Sequence, residues 1–297
     1  MAVTSSQTRL SRAVVESKHR SELENAWRRF AANRVALIGL VILTFITFIA
    51  LFAPFVAPYD PINDMDTSLR GCPPSREHPF GCDHLGRDLL SRVIFGARIA
   101  LIVGVGATLI SVVIGVVIGA LAGFFGGWVD TVLSRIIDTL MSFPIIALLI
   151  VLAAVLGPSL LTTVIVIGVT VWSRYARVVR AEVLSLRERD FIIAAYASGV
   201  RNWRIIWRHL IPNVMGPVIV LASLGVGGII ILEAALSFLG LGVRPPTPSW
   251  GAILADGRAY ILRYPHIAFF PGLMIVITVL AFNFVGDGLR DALDPKE

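Results

Sequence analysis

The chain has 297 residues with a formal charge of +6, and 56% of them are hydrophobic against 15% charged. A soluble domain averages about 25% charged residues, and a mean hydropathy of +0.80 makes lipid the solvent for much of this chain. The excess of Arg gathers at the ends of apolar runs, where it sets membrane orientation, so the basic balance does not point to nucleic acid.

Residues 1–20 are polar and basic with no apolar period and read as irregular. No short apolar stretch with a small-residue cleavage site precedes the first long one, so no cleavable signal peptide is expected. Ser21-Glu22-Leu23-Glu24 reads as a capping box. Leu23, Trp27, Phe30 and Ala31 then recur at helical spacing opposite Glu24, Arg28 and Arg29. That predicts a short amphipathic helix in the cytosolic interface; the plainer alternative is an extension of the first span.

The first span is predicted over 35–56, ended by Pro54, Pro58 and Pro61. A polar loop follows, carrying Asp60, Asp64, Asp66, Cys72 and Cys82. Two cysteines cannot complete a four-ligand zinc site. Lying together in one loop on the oxidising side, Cys72 and Cys82 are candidates for a disulfide, with two free thiols as the alternative. Residues 86–97 place Leu89, Leu90, Val93 and Ile94 opposite Asp88, Ser91 and Arg92, which predicts a second interfacial helix.

The second span, 99–124, carries overlapping GxxxG patterns at Gly115, Gly119 and Gly123, which let helices approach closely. A turn at 125–128 leads to a third span, 131–156, with Asp138 inside it and a kink expected at Pro144. After a turn at 157–159 the fourth span covers 160–175, with Arg174 and Tyr175 as snorkelling anchors at its end. The polar segment 177–213 holds Arg177, Arg180, Arg187, Arg189, Arg201, Arg204 and Arg208. The fifth span, 214–241, includes Glu233. A Pro- and Trp-rich loop, 243–268, precedes the sixth span, 269–285. Trp250 and Tyr260 are expected as outer aromatic anchors.

The resulting fold class is an all-α polytopic membrane helix bundle of six transmembrane helices. Its parts are a tail with an amphipathic helix (1–34), a first helix with an external loop (35–97), a core (98–288) and a charged tail (289–297). Six spans put both termini on one side. The N-terminal tail and the 177–213 segment carry concentrated Arg, whereas acidic residues offset the Arg of the opposite loops. Both termini and 177–213 are therefore expected in the cytosol. Asp138 and Glu233 lie in apolar spans, where a charge is expensive and normally faces a cavity or a partner. They are candidate contacts for a translocation path. The alternative for Asp138 is a structural pair with Arg135, one turn away.

A long polar segment inside a compact bundle needs a function. In 191–198, Phe191, Ile192, Ala194, Ala195 and Ser198 form an apolar and small face, and Gly199 breaks the helix. A second helix is predicted over 202–210 on Trp203, Ile206, Trp207 and Leu210, closed by Pro212. Ala194, Ala195, Gly199 and Pro212 fall at the spacing of the "EAA" loop of ATP-binding-cassette importer permeases, which this segment resembles. The chain departs from that pattern with Ile193 in place of Glu and with His209 and Ile211 in its second part. Residues 78–88 (HPFGCDHLGRD), 235–242 (ALSFLGLG), 245–251 (PPTPSWG) and 286–295 (GDGLRDALDP) resemble the dipeptide, oligopeptide and nickel permeases, and point to their second, C-type subunit.

The resemblance implies a type I importer permease in the bacterial cytoplasmic membrane. It implies coupling to ATPases through the loop residues Ala194, Ala195, Gly199, Ile206, His209 and Pro212. It further implies a homologous second permease, two ATP-binding-cassette ATPase subunits and an extracytoplasmic substrate-binding protein as partners. The sequence has no GxxxxGK[ST] phosphate loop, so ATP and Mg are expected on the ATPase subunits, with no cofactor in this chain and no catalytic residue. Dipeptides, oligopeptides, glutathione and nickel chelates are the candidate substrates. An ion-coupled secondary transporter is the runner-up, but it leaves the helix–turn–helix around Gly199 unexplained. A membrane enzyme is a third class, and HExxH and GxSxG motifs are absent from the sequence.

Overall fold

The computed structural model describes residues 22–293. The expectations for residues 1–21 and 294–297 lie outside the described residues, as do those for the side chains of Glu22 and Leu23. These include the irregular N-terminal stretch, the capping box and the end of the charged tail.

The described chain is a bundle of helices. Helix α1 spans Glu22–Ala32, α2 Arg34–Leu51, α3 Leu89–Phe125, α4 Gly127–Ser142 and α5 Ile145–Leu156. Helix α6 spans Leu160–Leu186 and α7 Asp190–Ala197. Helix α8 runs over Asn202–Phe238, α9 over Trp250–Arg258 and α10 over His266–Leu293. Four of these, α2, α3, α8 and α10, are long and apolar enough to cross a membrane. The pair α4 and α5, bent by 90° at the break, meets the same length and apolarity only when the two are taken together, as a broken span or a re-entrant loop. The predicted fourth span is the apolar first half of α6, whose second half carries Arg174, Arg177, Arg180 and Glu182.

Several boundaries differ from the sequence reading, each for a local reason. The N-terminal helix is not an extension of the first span. Asn33 takes an extended conformation and its Oδ1 accepts from the N–H groups of Val35 and Ala36, so α2 starts afresh. Phe30 of α1 is buried against Ala36 and Ala292, which brings the two ends of the described residues together. There is no separate interfacial helix over 86–97. Asp88 caps Ser91 at the start of α3, and Ser91 and Arg92, expected on a wet face, are buried with Leu89 and Val93. Pro144 does not kink a continuous helix. Phe143 and Pro144 both take extended backbone, as the residue before a proline prefers, and the chain turns there.

The core is held by helices brought into close contact at glycines. A Cβ on Gly115 would lie 2.5 Å from Tyr175 Cβ, one on Gly119 2.5 Å from Ala176 O, and one on Gly123 2.9 Å from Arg180 O. The GxxxG ladder of α3 is thus the seat of α6. Tyr175 is therefore buried at the α3 contact, not an interfacial anchor.

The loop before α3 is stitched to the bundle by charge. Asp83 pairs with Arg87 at 2.7 Å and Arg92 at 3.4 Å, and Arg92 reaches Asp256 of α9 at 3.7 Å. Cys72 and Cys82 are joined within this loop. Trp250 at the start of α9 is fully buried, with its Nε1–H donating to Val93 O at 2.9 Å. The expected outer anchor is a core residue. Gly96 makes room for it, since a Cβ there would lie 2.6 Å from the indole. Tyr260 stays partly exposed, stacked on His84.

Candidate functional site

Helix α6 does not end at Tyr175 but continues as helix to Leu186. The irregular part of the 177–213 segment is correspondingly short, and α7 hangs between two long helices.

Helix α7 is an eight-residue element with one buried anchor. Ile192 is fully buried in a cluster with Val116 and Phe124 of α3, Val179 and Val183 of α6, and Ile205, Ile206 and Leu210 of α8. Around that anchor the surface is open. Ala194, Ala197, Ser198 and Gly199 are exposed, and so are Phe191, Ile193 and Tyr196. Ala195 is half-buried against the same cluster. Ile193, where the family pattern has Glu, is 54% exposed. Burial raises the pKa of the Tyr196 hydroxyl, and its ring stacks on Phe124.

The C-terminus of α7 is closed by a Schellman motif. Val200 N–H donates to Ala195 O at 3.1 Å and Gly199 N–H to Tyr196 O at 2.9 Å. Gly199 has φ of +73°, which an L side chain rarely adopts, and a Cβ there would meet nothing within 4 Å. The glycine is required by the backbone, not by crowding.

The second helix of the predicted pair is real, but it is not closed by Pro212. Residues Ile206–Leu210 form a π turn, in which Ile211 N–H reaches back to Ile206 O. Pro212 lacks an N–H and would crowd the carbonyl four residues earlier, and the wider turn relieves that conflict. Asn213 Nδ2 donates to His209 O at 2.5 Å. The helix then runs on into the span. Ile206 is buried, His209 half-buried and Pro212 exposed.

Asp138 is exposed on α4 and pairs with Arg177 of α6 at 2.7 Å, not with Arg135. Nearby, Asp130 is gripped by Arg180 through both carboxylate oxygens, Nη2 to Oδ2 at 2.6 Å. These clasps tie the broken helix to α6, about two turns before its end at Leu186. The sequence reading missed them, although Arg174, Arg177 and Arg180 repeat at a helical interval. Glu233 lies apart, fully buried on α8, accepting from Ser237 Oγ at 2.7 Å and lying against Ser249.

Residues 115–297 match the profile of binding-protein-dependent transport system inner membrane components. Residues 21–74 match that of the N-terminal TM domain of oligopeptide transport permease C. The chain is similar to the dipeptide transport system permease protein DppC of Alkalihalophilus pseudofirmus, with 44% identity over 93% of this chain and 90% of the relative. It is also similar to the glutathione transport system permease protein GsiD of Escherichia coli O157:H7, with 44% identity over 91% of this chain and 89% of the relative. Among solved structures, a chain of the MetNI methionine ABC transporter in inward-facing conformations aligns with a TM-score of 0.57 at 19% identity. That match covers 69% of this chain and 98% of the other, and shows a shared fold.

Proposed function

Because this chain belongs to the family of binding-protein-dependent transport system inner membrane components, we propose that it is the C-type permease subunit of an ATP-driven importer of small peptides. The observation that carries the substrate class is the 44% identity, over nine-tenths of the chain, to permeases named for dipeptide and glutathione transport. Glutathione is itself a tripeptide, so both names describe one chemical class.

The remaining parts of the reading rest on geometry and charge. Helix α7 offers an open, small-residue surface on a buried anchor, which suits docking into a cleft of an ATPase subunit. ATP and Mg are then held by two such subunits, and this chain performs no catalysis. A homologous permease completes the path, and an extracytoplasmic binding protein delivers the substrate. The packing of α1 against the end of α10 favours termini on one side, and the Arg asymmetry favours the cytosol. That orientation takes six crossings, with the first half of α6 among them.

The test is reconstitution. This subunit, purified with the permease, ATPases and binding protein encoded beside it, is placed in liposomes. ATP-dependent uptake of labelled dipeptides or glutathione is the expected result. Uptake driven by an ion gradient without ATP would refute the reading.

A further inference from the structure

The groove between the broken pair α4/α5 and helix α6 sets polar groups among the apolar side chains of Leu140, Met141, Phe143, Ile145 and Val171. Helix α6 turns Thr170, Ser173, Arg174 and Arg177 to one side, at the i, i+3, i+4 and i+7 positions of a single face. The first three border a cavity of about 160 Å³ beside the bend at Phe143. Arg177, Asp138 and Arg180 border a second cavity of about 190 Å³. The neighbouring face of α6, with Tyr175, Ala176 and Val179, is the one pressed onto the glycines of α3. Of the polar stripe, Arg174 and Arg177 are exposed, whereas Thr170 and Ser173 are buried, with Thr170 Oγ1 donating to Val166 O.

Two observations say that the groove meets water. The Asp138–Arg177 pair is open, its side chains 56% and 53% exposed. Such a pair is expensive in hydrocarbon and belongs against a water-filled cavity or a partner. Arg174 is exposed and makes no ion pair among the described residues. A guanidinium without a carboxylate is complementary to a carboxylate ligand. The adjacent Asp138 supplies the opposite sign for an ammonium group.

Resting on the peptide-importer reading, we propose that this groove is a stretch of the translocation path that receives a zwitterionic peptide. Arg174 takes its terminal carboxylate, and Asp138, exchanging with Arg177, takes its terminal ammonium. Both contacts are solvent-exposed and individually weak, which conduction requires, since a passing solute must also leave.

The test uses the complete complex in liposomes. In a Cys72→Ser/Cys82→Ser background, Arg174→Cys and the outward apolar control Val169→Cys are treated with a charged methanethiosulfonate. Arg174→Cys is expected to react about tenfold faster or more, and saturating peptide with its binding protein is expected to slow it. Equal rates, or no protection by peptide, would overturn the assignment. In parallel, Arg174→Gln is expected to lower peptide uptake per ATP hydrolysed by about tenfold, with binding-protein-stimulated ATPase activity retained and Arg174→Lys largely restoring uptake. A wild-type uptake-to-ATP ratio in Arg174→Gln overturns the groove while leaving the importer reading standing. A wild-type complex that takes up no peptide overturns both.

Discussion

Gly199 gives the most decisive test of the coupling segment, because the structure separates its backbone role from its surface role. At φ +73° it closes the Schellman motif of α7, and a Cβ would touch nothing. Gly199→Ala therefore carries only the left-handed backbone cost, about 1–2 kcal/mol, partly offset by about 0.4–1 kcal/mol from the less flexible unfolded chain. Gly199→Asn, which tolerates this conformation, should behave close to wild type. Gly199→Arg adds a long cation to an exposed surface without an internal clash. All three should insert normally, since the site lies outside the spans. Hydrogen exchange over 190–201 should speed up modestly and similarly in the Ala and Arg variants. Co-purification of the ATPase subunits and uptake should fall in Gly199→Arg well beyond Gly199→Ala. Full uptake by Gly199→Arg, with its ATPases still bound, would refute docking at α7. Equal losses in Ala and Arg would show that strain, not a blocked surface, is responsible. A failing Gly199→Asn would refute the backbone argument.

Other expectations concern the outer and inner faces. In a background without Cys72 and Cys82, an impermeant thiol reagent on intact cells should label Ser68→Cys and not Ser198→Cys; the reverse would invert the topology. Non-reducing alkylation with peptide mapping should find Cys72 joined to Cys82, closing a loop of separation 10 for about 2–3 kcal/mol; two alkylated thiols would refute the bond. Trp250→Ala should cost about 3–5 kcal/mol of thermal stability in detergent, and Trp250→Phe about 1 kcal/mol for the lost bond to Val93 O; a neutral Trp250→Ala would show the indole is not a core element. The Asp60 carboxyl has its pKa lowered by the backbone N–H groups of Asn63 and Ile62. Its support of that turn is thus present above the unfolded value of about 3.9 and lost as pH falls through the lower folded value. Exchange at Ile62 and Asn63, corrected for intrinsic rates, should rise below about pH 4 and not between pH 5 and 8.

The spans were legible because apolarity over about 20 residues is a direct statement about lipid. The close packing at Gly115, Gly119 and Gly123 was legible because only glycine allows the approach. The turn at Gly199 was legible as a break, and its left-handed geometry gives that break a cause. The misplaced boundaries share one origin. In the sequence, charge and proline read as signs that a helix stops, whereas charge reports only where a helix meets water. Arg174, Arg177 and Arg180 decorate α6 without ending it, and a π turn lets α8 pass Pro212. Trp250 was misplaced because its slot is made by Gly96, a pairing that no local pattern encodes.

The long-range pairs give the molecule a mechanical route from α7 to the groove. The ends of α3, α6 and α8 nearest α7 share one cluster with its Ile192, and close-packed cores transmit displacement because they cannot deform gradually. A movement of α7 that keeps Ile192 buried must carry the ends of α6 and α8 with it. From α6 it passes to α4 through Arg180–Asp130 and Arg177–Asp138. Helix α4 is free to answer, because the extended residues at Phe143 and Pro144 uncouple its direction from that of α5. The exposed ion pair is thus both the lining of the groove and the last link in the chain of contacts that would move it. A charge pair suits that double role better than an apolar contact, since in water it can break and re-form at small cost.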